Sequence, residues 1–281
     1  MSAGVSEPRT TRDEILLLKD EHFTADNVCL ITGAGSGIGR ALCLAAAANG
    51  LRVVGLDINE VGLAETELRC REFSNTMMPV TVDLTHDDQV ERAVAEAARA
   101  GAIRYLANVA GIQYISSIED FPMDKYDLMQ KLMLRAPFLL SKLCIPHMRS
   151  NSDGQGVIGN MASIQGHICT VNKPVYNLLK FGMRGLTQSI AAEGEGKIRA
   201  FSVSTSFVKT PMTVGQVHSN AVRRGISDEQ MVHDVILGKQ RIKEMMNPIE
   251  VANLFMFGFS RFSRFLFGAD LLFDGGAVLT Y

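Results

Sequence analysis

Val28-Cys29-Leu30-Ile31-Thr32-Gly33-Ala34-Gly35-Ser36-Gly37-Ile38-Gly39 passes from an apolar run through four glycines into the Ala/Leu-rich segment Gly39 to Asn49. The apolar run, Val28 to Thr32, reads as a buried strand stopped by glycine, and the segment behind it as a helix packed against that strand. Gly33 permits a tight exit from the strand, Gly37 lets backbone approach a pyrophosphate with no Cβ in the way, and Gly39 lets the helix lie close to the sheet. The helix N-terminus, with its unpaired N–H groups and positive dipole end, then faces the anion. By itself such a string is only a turn. Asp57 adds to it: it follows the second candidate strand, 18 residues after Gly39, near the ~20-residue offset at which a carboxylate grips a ribose 2′-hydroxyl. A carboxylate there repels a 2′-phosphate, and Ser36 offers no compensating cation, so the reading is NAD.

Outward from this stretch, short apolar runs alternate with longer segments of helical period, the pattern of βαβ units and a parallel sheet. Further strands are predicted at Arg52 to Leu56, Met78 to Val82, Tyr105 to Val109, Val157 to Met161, Arg199 to Val203 and Asp270 to Phe273, which makes seven. Helices are predicted at Asp87 to Arg99, Met123 to Met148 and Val175 to Glu193. Residues 1–26 form an N-terminal extension with a short docking helix around Asp13 to Lys19, and residues 27–281 a single α/β domain. The long stretch Thr205 to Asn247, between the last two strands, is expected to be a substrate lid.

The chain has 281 residues, 47% hydrophobic and 21% charged, with 28 Lys and Arg against 30 Asp and Glu. That charge balance is too even for the basic field that nucleic acid requires, so no nucleic-acid partner is expected. The apolar run Leu254 to Phe267 is broken by Ser260, Arg261 and Arg264 short of the ~20 residues a membrane span needs. Five cysteines without a Cys-x-x-Cys pair point to reduced thiols and a cytoplasmic protein. The six histidines are scattered, with no spacing that would hold a metal.

Tyr176 and Lys180 are spaced i, i+4 and so share a helix face. A phenol with a pKa of about 10 is a poor base near neutrality, and an ammonium together with an oxidised nicotinamide favours its phenolate. Ser163 stands 13 residues before Tyr176, just past a strand end.

Thr32 to Gly39, Asn108-Val109-Ala110-Gly111, Ser163, Tyr176 with Lys180, and Asp274-Gly275-Gly276 together resemble the short-chain dehydrogenase/reductase family, in order and spacing, over about residues 27 to 281. The resemblance implies a doubly wound Rossmann-type domain with a seven-stranded parallel sheet. It makes Tyr176 the general acid/base, Ser163 the group that hydrogen-bonds the substrate oxygen, and Lys180 the holder of the nicotinamide ribose. It also implies cofactor contacts at Gly33, Ser36, Gly37, Ile38, Gly39, Asp57, Asp83, Asn108, Val208 and Thr210, and a homotetramer with 222 symmetry. Within the family, Gly111-Ile112-Gln113, Asn172-Lys173-Pro174, Gly238-Lys239-Gln240 and neighbouring segments are similar to D-3-hydroxybutyrate dehydrogenases. That likeness implies a small hydroxy acid or ketone whose carboxylate is held by Gln113, Gln165, Lys173 and Gln240.

The family's relay asparagine aligns with Met133, whose thioether is at best a weak hydrogen-bond acceptor. Thr205-Ser206 replaces the usual Pro-Gly, and Val109 an asparagine. Three readings therefore stand side by side: a 3-hydroxy acid dehydrogenase, a dehydrogenase for another secondary alcohol, and a catalytically weakened NAD-binding regulatory protein.

Overall fold

Successive residues of the first strand, β1 (Asn27–Thr32), face opposite ways. Val28 and Leu30 belong to one buried cluster, Cys29 and Ile31 to another. A strand apolar on both faces must be covered on both, and this one is central in a seven-stranded sheet. The computed structural model describes residues 8–73, 77–238 and 240–279. The start of the N-terminal extension and Lys239 of the Gly238-Lys239-Gln240 segment lie outside the described residues.

The remaining strands are β2 (Arg52–Asp57), β3 (Met77–Thr81), β4 (Ala102–Asn108), β5 (Gly156–Met161), β6 (Ile198–Thr205) and β7 (Ala269–Phe273). They pair in the order β3-β2-β1-β4-β5-β6-β7, every pair parallel. This is the Rossmann-type, doubly wound α/β arrangement expected from the sequence. The order reverses between β1 and β4, and a ligand crevice opens beyond the carboxyl ends of strands at such a reversal.

One face is covered by α1 (Gly37–Ala48), α2 (Glu60–Cys70) and α9 (Pro248–Phe259), the other by α3 (Asp87–Ala100), α5 (Ala136–Arg149) and α6 (Pro174–Glu193). Phe201 of β6 meets Phe255 and Phe259 of α9 with ring centroids 5.8 and 5.6 Å apart. α6 starts at Pro174, where the missing N–H costs nothing.

Several elements differ from the sequence reading. The helix expected over Met123 to Met148 is present and runs on to Arg149, but a π-helical turn over Lys131–Arg135 interrupts its α-helical ladder and divides it into α4 (Met123–Gln130) and α5. The extension holds one 3-10 turn, Arg12–Glu14, in place of the expected docking helix. It is tied down by Asn253, which accepts from Leu16 N and donates to Glu14 O, and by the buried side chains of Ile15 and Phe23. Thr205, expected to open the lid, is the last residue of β6. The excursion beyond it folds into α7 (Pro211–Arg224), the short α8 (Asp228–Gln230) and a π-helical turn, Met231–Ile236. Its base is closed by backbone bonds from Lys209 N to Met246 O and from Met246 N to Phe207 O. No helix among the described residues is long and apolar enough to cross a membrane.

Candidate active site

The glycine loop turns because nothing larger fits. A Cβ on Gly39 would lie 2.0 Å from the Gly33 carbonyl oxygen, so α1 leaves the sheet at the closest approach backbone allows. Gly33, at φ +71°, takes the left-handed conformation that glycine adopts freely. Asp57 closes the loop from β2: its Oδ2 accepts the Gly35 N–H at 2.9 Å and its Oδ1 the Asn59 N–H at 2.9 Å. Buried Arg40 fastens the loop from below, donating to Gly35 O at 2.5 Å, Thr66 Oγ1 at 2.9 Å and Glu65 Oε2 at 2.8 Å. Thr32 Oγ1 accepts the N–H groups of Val109 and Ala110, which holds the strand ends flanking the crevice together. Arg40 was not singled out in the sequence, where a cation in the first helical turn after the glycines was the available signal, and Thr32 was read there only as the strand end that opens the glycine motif.

A cleft of about 470 Å³ extends from this loop along the carboxyl ends of the strands. Gly33, Ser36, Gly37, Ile38, Gly39 and Asp57 line one end, with Asp83 beyond β3. Burial alone would raise the Asp83 pKa, but Thr85 N and Oγ1, bonded to its Oδ1, outweigh it and hold the carboxyl below its ordinary value. Val208 and Thr210 line the cleft from the excursion side. Thr210 caps α7 and sits over the loop, its Cγ2 3.1 Å from where a Gly37 Cβ would stand.

Ser163, Tyr176 and Lys180 line the same cleft. Ser163 caps the 3-10 turn Ile164–Gly166 that follows β5, accepting from Gln165 N and donating to Gln165 Oε1 at 2.5 Å. The i, i+4 spacing on α6 brings Lys180 Nζ to 5.3 Å from the Tyr176 ring centroid. Nζ donates to Met161 O at 2.6 Å, and desolvation pulls the amine down to about 7. Desolvation pushes the Tyr176 phenol up to about 12, with a hydrogen bond to Ser163 opposing. In the protein by itself, burial disfavours the charged form of both groups.

The other site residues are dispersed. Asn108 does not line the cleft; it is buried between strands, donating to Asn160 Oδ1 at 2.8 Å. Gln165 is held between Ser163 and Thr170 Oγ1. Gln240 is buried, accepts from the cleft residue Ser206 at 2.9 Å, and has an Nε2 with no protein partner. Lys173 lines a smaller cavity of about 180 Å³ that shares Thr213 with the main cleft. Its Nζ lies 5.9 Å from the Phe207 ring centroid and desolvation lowers its pKa. Gln113 lines neither cavity. Buried Met133 lines the cleft from the π-helical turn, its Cε 3.6 Å from the position of a Gly111 Cβ. Sequence reasoning also missed the apolar wall of Ile112, Leu128, Leu132 and Met212. Among the described residues no group of acidic, His and Cys side chains is placed to hold a metal.

A parallel sheet with a glycine loop at its switch point and a serine, tyrosine and lysine across one crevice defines an oxidoreductase of the dinucleotide-dependent kind. The family model for short chain dehydrogenases matches residues 27–221, and the chain belongs to that family. It is 31% identical to a D-beta-hydroxybutyrate dehydrogenase of Rhizobium meliloti (strain 1021), over 88% of this chain and 96% of that protein. It is also 32% identical to a 3-alpha-(or 20-beta)-hydroxysteroid dehydrogenase of Mycobacterium tuberculosis (strain CDC 1551 / Oshkosh), over 89% of each. Levodione reductase superposes with a TM-score of 0.84 at 27% identity, covering 92% of this chain and all of that one.

Proposed function

We propose that the chain is an NAD-dependent dehydrogenase acting on a short 3-hydroxy acid such as D-3-hydroxybutyrate. The observation that carries this reading is the single cleft with the glycine loop and Asp57 at one end and Ser163, Tyr176 and Lys180 at the other. The residues fit a dinucleotide: Gly39 leaves no space for a side chain under the loop, and the Asp57 carboxylate lines the same end of the cleft, where it would grip a ribose hydroxyl. Gly33, Ser36, Gly37, Ile38 and Gly39 would hold the pyrophosphate, Asp83 the adenine, Val208 and Thr210 the carboxamide, and Lys180 the ribose. Asn108 would support them from the sheet.

Bound there, the nicotinamide supplies hydride exchange and, when oxidised, a positive charge that favours a phenolate nearby. Tyr176 takes the proton from the substrate hydroxyl during oxidation and returns it during reduction. Ser163 steadies the substrate oxygen with the hydroxyl it otherwise donates to Gln165. Lys173, which has no ion-pair partner among the described residues, and the unpaired amide of Gln240 would be donors for a carboxylate, and the resemblance adds Gln165 and Gln113 to that set.

Two observations favour another secondary alcohol as the substrate: the wall of Ile112, Leu128, Leu132 and Met212 is apolar, and Lys173 sits in the side cavity. An assay of NAD reduction with D-3-hydroxybutyrate, its L enantiomer and uncharged alcohols separates the two. Preference for the D acid supports the first reading, and preference for a bulky neutral alcohol the second. Dinucleotide binding without turnover of any alcohol would leave the regulatory protein. The proposed assembly is a homotetramer, to which exposed Phe138, Leu178 and Phe181 on α5 and α6 offer apolar surface. Light scattering tests it. A cytoplasmic setting agrees with five free cysteines, four of them buried.

A further inference from the structure

Three side chains outside the cleft, His167, Ser202 and Ser204, meet on the carboxylate of Asp270, in the edge strand β7. His167 Nε2 lies 2.8 Å from Asp270 Oδ2, while Ser204 donates to Oδ1 at 2.9 Å and Ser202 donates to the same oxygen. Asp270 is thus held against β6 by two buried hydroxyls and reaches back to the residue immediately after the Ile164–Gly166 turn. Arg184 pins that turn from α6, its Nη1 donating to Gly166 O at 2.6 Å. Gly166 N closes the turn onto Ser163 O at 2.8 Å. The charged groups on the packed elements are Lys180, Arg184 and Glu193 on α6, Arg199 on β6, whose guanidinium is bonded to the carbonyls of Gly258 to Ser260 and Ser263, and Asp270 on β7. The β6 side chains bonded to Asp270 are the hydroxyls of Ser202 and Ser204.

We propose that His167 and Asp270 form a positioning pair that fixes the turn carrying Ser163 and Gln165 relative to Tyr176. The inference rests on the reading of Ser163 as a group that touches substrate. Among the described residues the His167–Asp270 contact is the polar link between this turn and β7, so its loss loosens the placement of Ser163 and Gln165 from that side, leaves Arg184 as the anchor on α6, and removes no group from the cleft. An error of ~1 Å in such placement costs on the order of a hundredfold in rate.

The test uses the full chain with NAD and its best alcohol substrate, and variants His167→Leu, His167→Gln, Asp270→Asn and the His167→Leu/Asp270→Asn double. His167→Leu and Asp270→Asn should each lower kcat between about tenfold and a hundredfold, with the Kd for NAD unchanged. The double should be no slower than the worse single, as for two ends of one contact. His167→Gln, which keeps an N–H donor, should recover most of the rate. Hydrogen exchange at the amides of Gln165 and Gly166 should accelerate in the slow variants, and that in the glycine loop should not.

Multiplicative losses in the double, unchanged protection of the turn, or equal impairment by Gln and Leu would overturn the proposal. Ser163→Ala run alongside tells the two failures apart. If it turns over normally the reading of Ser163 falls, while the exchange data still decide whether the pair holds the turn.

Discussion

Asp57 Oδ2 accepts the N–H of Gly35 at 2.9 Å, so the carboxylate ending β2 and the loop opening α1 are one structural unit. A side chain proposed to choose between NAD and its 2′-phosphorylated form therefore also braces the loop that would carry the pyrophosphate. Asp57→Asn keeps an acceptor for Gly35 and removes the charge; Asp57→Ala removes both. Asn is expected to bring the affinity for NADP toward that for NAD, and Ala to weaken NAD about tenfold or more as well. Fluorescence titration of both reduced dinucleotides against the two variants measures this. Equal binding of NADP and NAD by the unaltered chain would remove Asp57 as the selector.

Gly39→Ala tests the loop from its steric side. The added methyl would stand 2.0 Å from Gly33 O, a backbone atom that can yield only if α1 lifts from the sheet. A loss of about 1–3 kcal/mol or more is expected, read as a lower urea midpoint. A variant as stable as the parent would mean that the helix moves away at little cost.

Ser163→Ala and Tyr176→Phe are each expected to lower turnover by roughly 10²–10⁴-fold, the usual contribution of acid/base groups. Neither should change the Kd for NAD by more than about twofold, since neither removes a charge from the glycine-loop end of the cleft. Steady-state rates and dinucleotide titration on the same preparations check both halves. Full activity in Tyr176→Phe would end its assignment as the acid/base.

Much of this architecture was legible because it depends on short-range patterns. β1 and the glycines after it are contiguous, and Tyr176 and Lys180 are one helical turn apart. α2 was not read: Leu63 and Cys70 are its main apolar anchors, so its period is faint. The π-helical turn at Lys131–Arg135 was also invisible, because an uninterrupted helix and one with an inserted residue differ by little in composition. Lys173 was read with the substrate site on resemblance, yet its neighbours Phe207 and Arg224 in the side cavity come from the excursion after β6. His167 and Asp270 are 103 residues apart and meet only because β6 and β7 lie side by side. No local spacing encodes such a pair.

Lys180 gives a pH dependence whose sign is fixed. Its amine has an ordinary value of 10.5 and falls to about 7 in the fold because burial penalises the ammonium. Below about 7 both folded and unfolded chains carry the charge, and the folded state bears the full desolvation cost. Between about 7 and 10.5 the unfolded chain binds more protons, so stability from this group rises with pH. Lys180→Met removes the cost together with the bond to Met161 O, a loss that is nearly independent of pH. The stability of the variant relative to the parent should thus be greatest near pH 6 and decline steadily toward pH 10, by on the order of a few kcal/mol. Urea midpoints of both chains across that range supply the comparison. Stopping at pH 10 keeps Tyr176, whose raised value acts between 10 and about 12, out of it. A difference that stays flat would mean that the buried amine keeps its proton through neutrality, with solvent or Met161 O stabilising the ammonium more than burial penalises it.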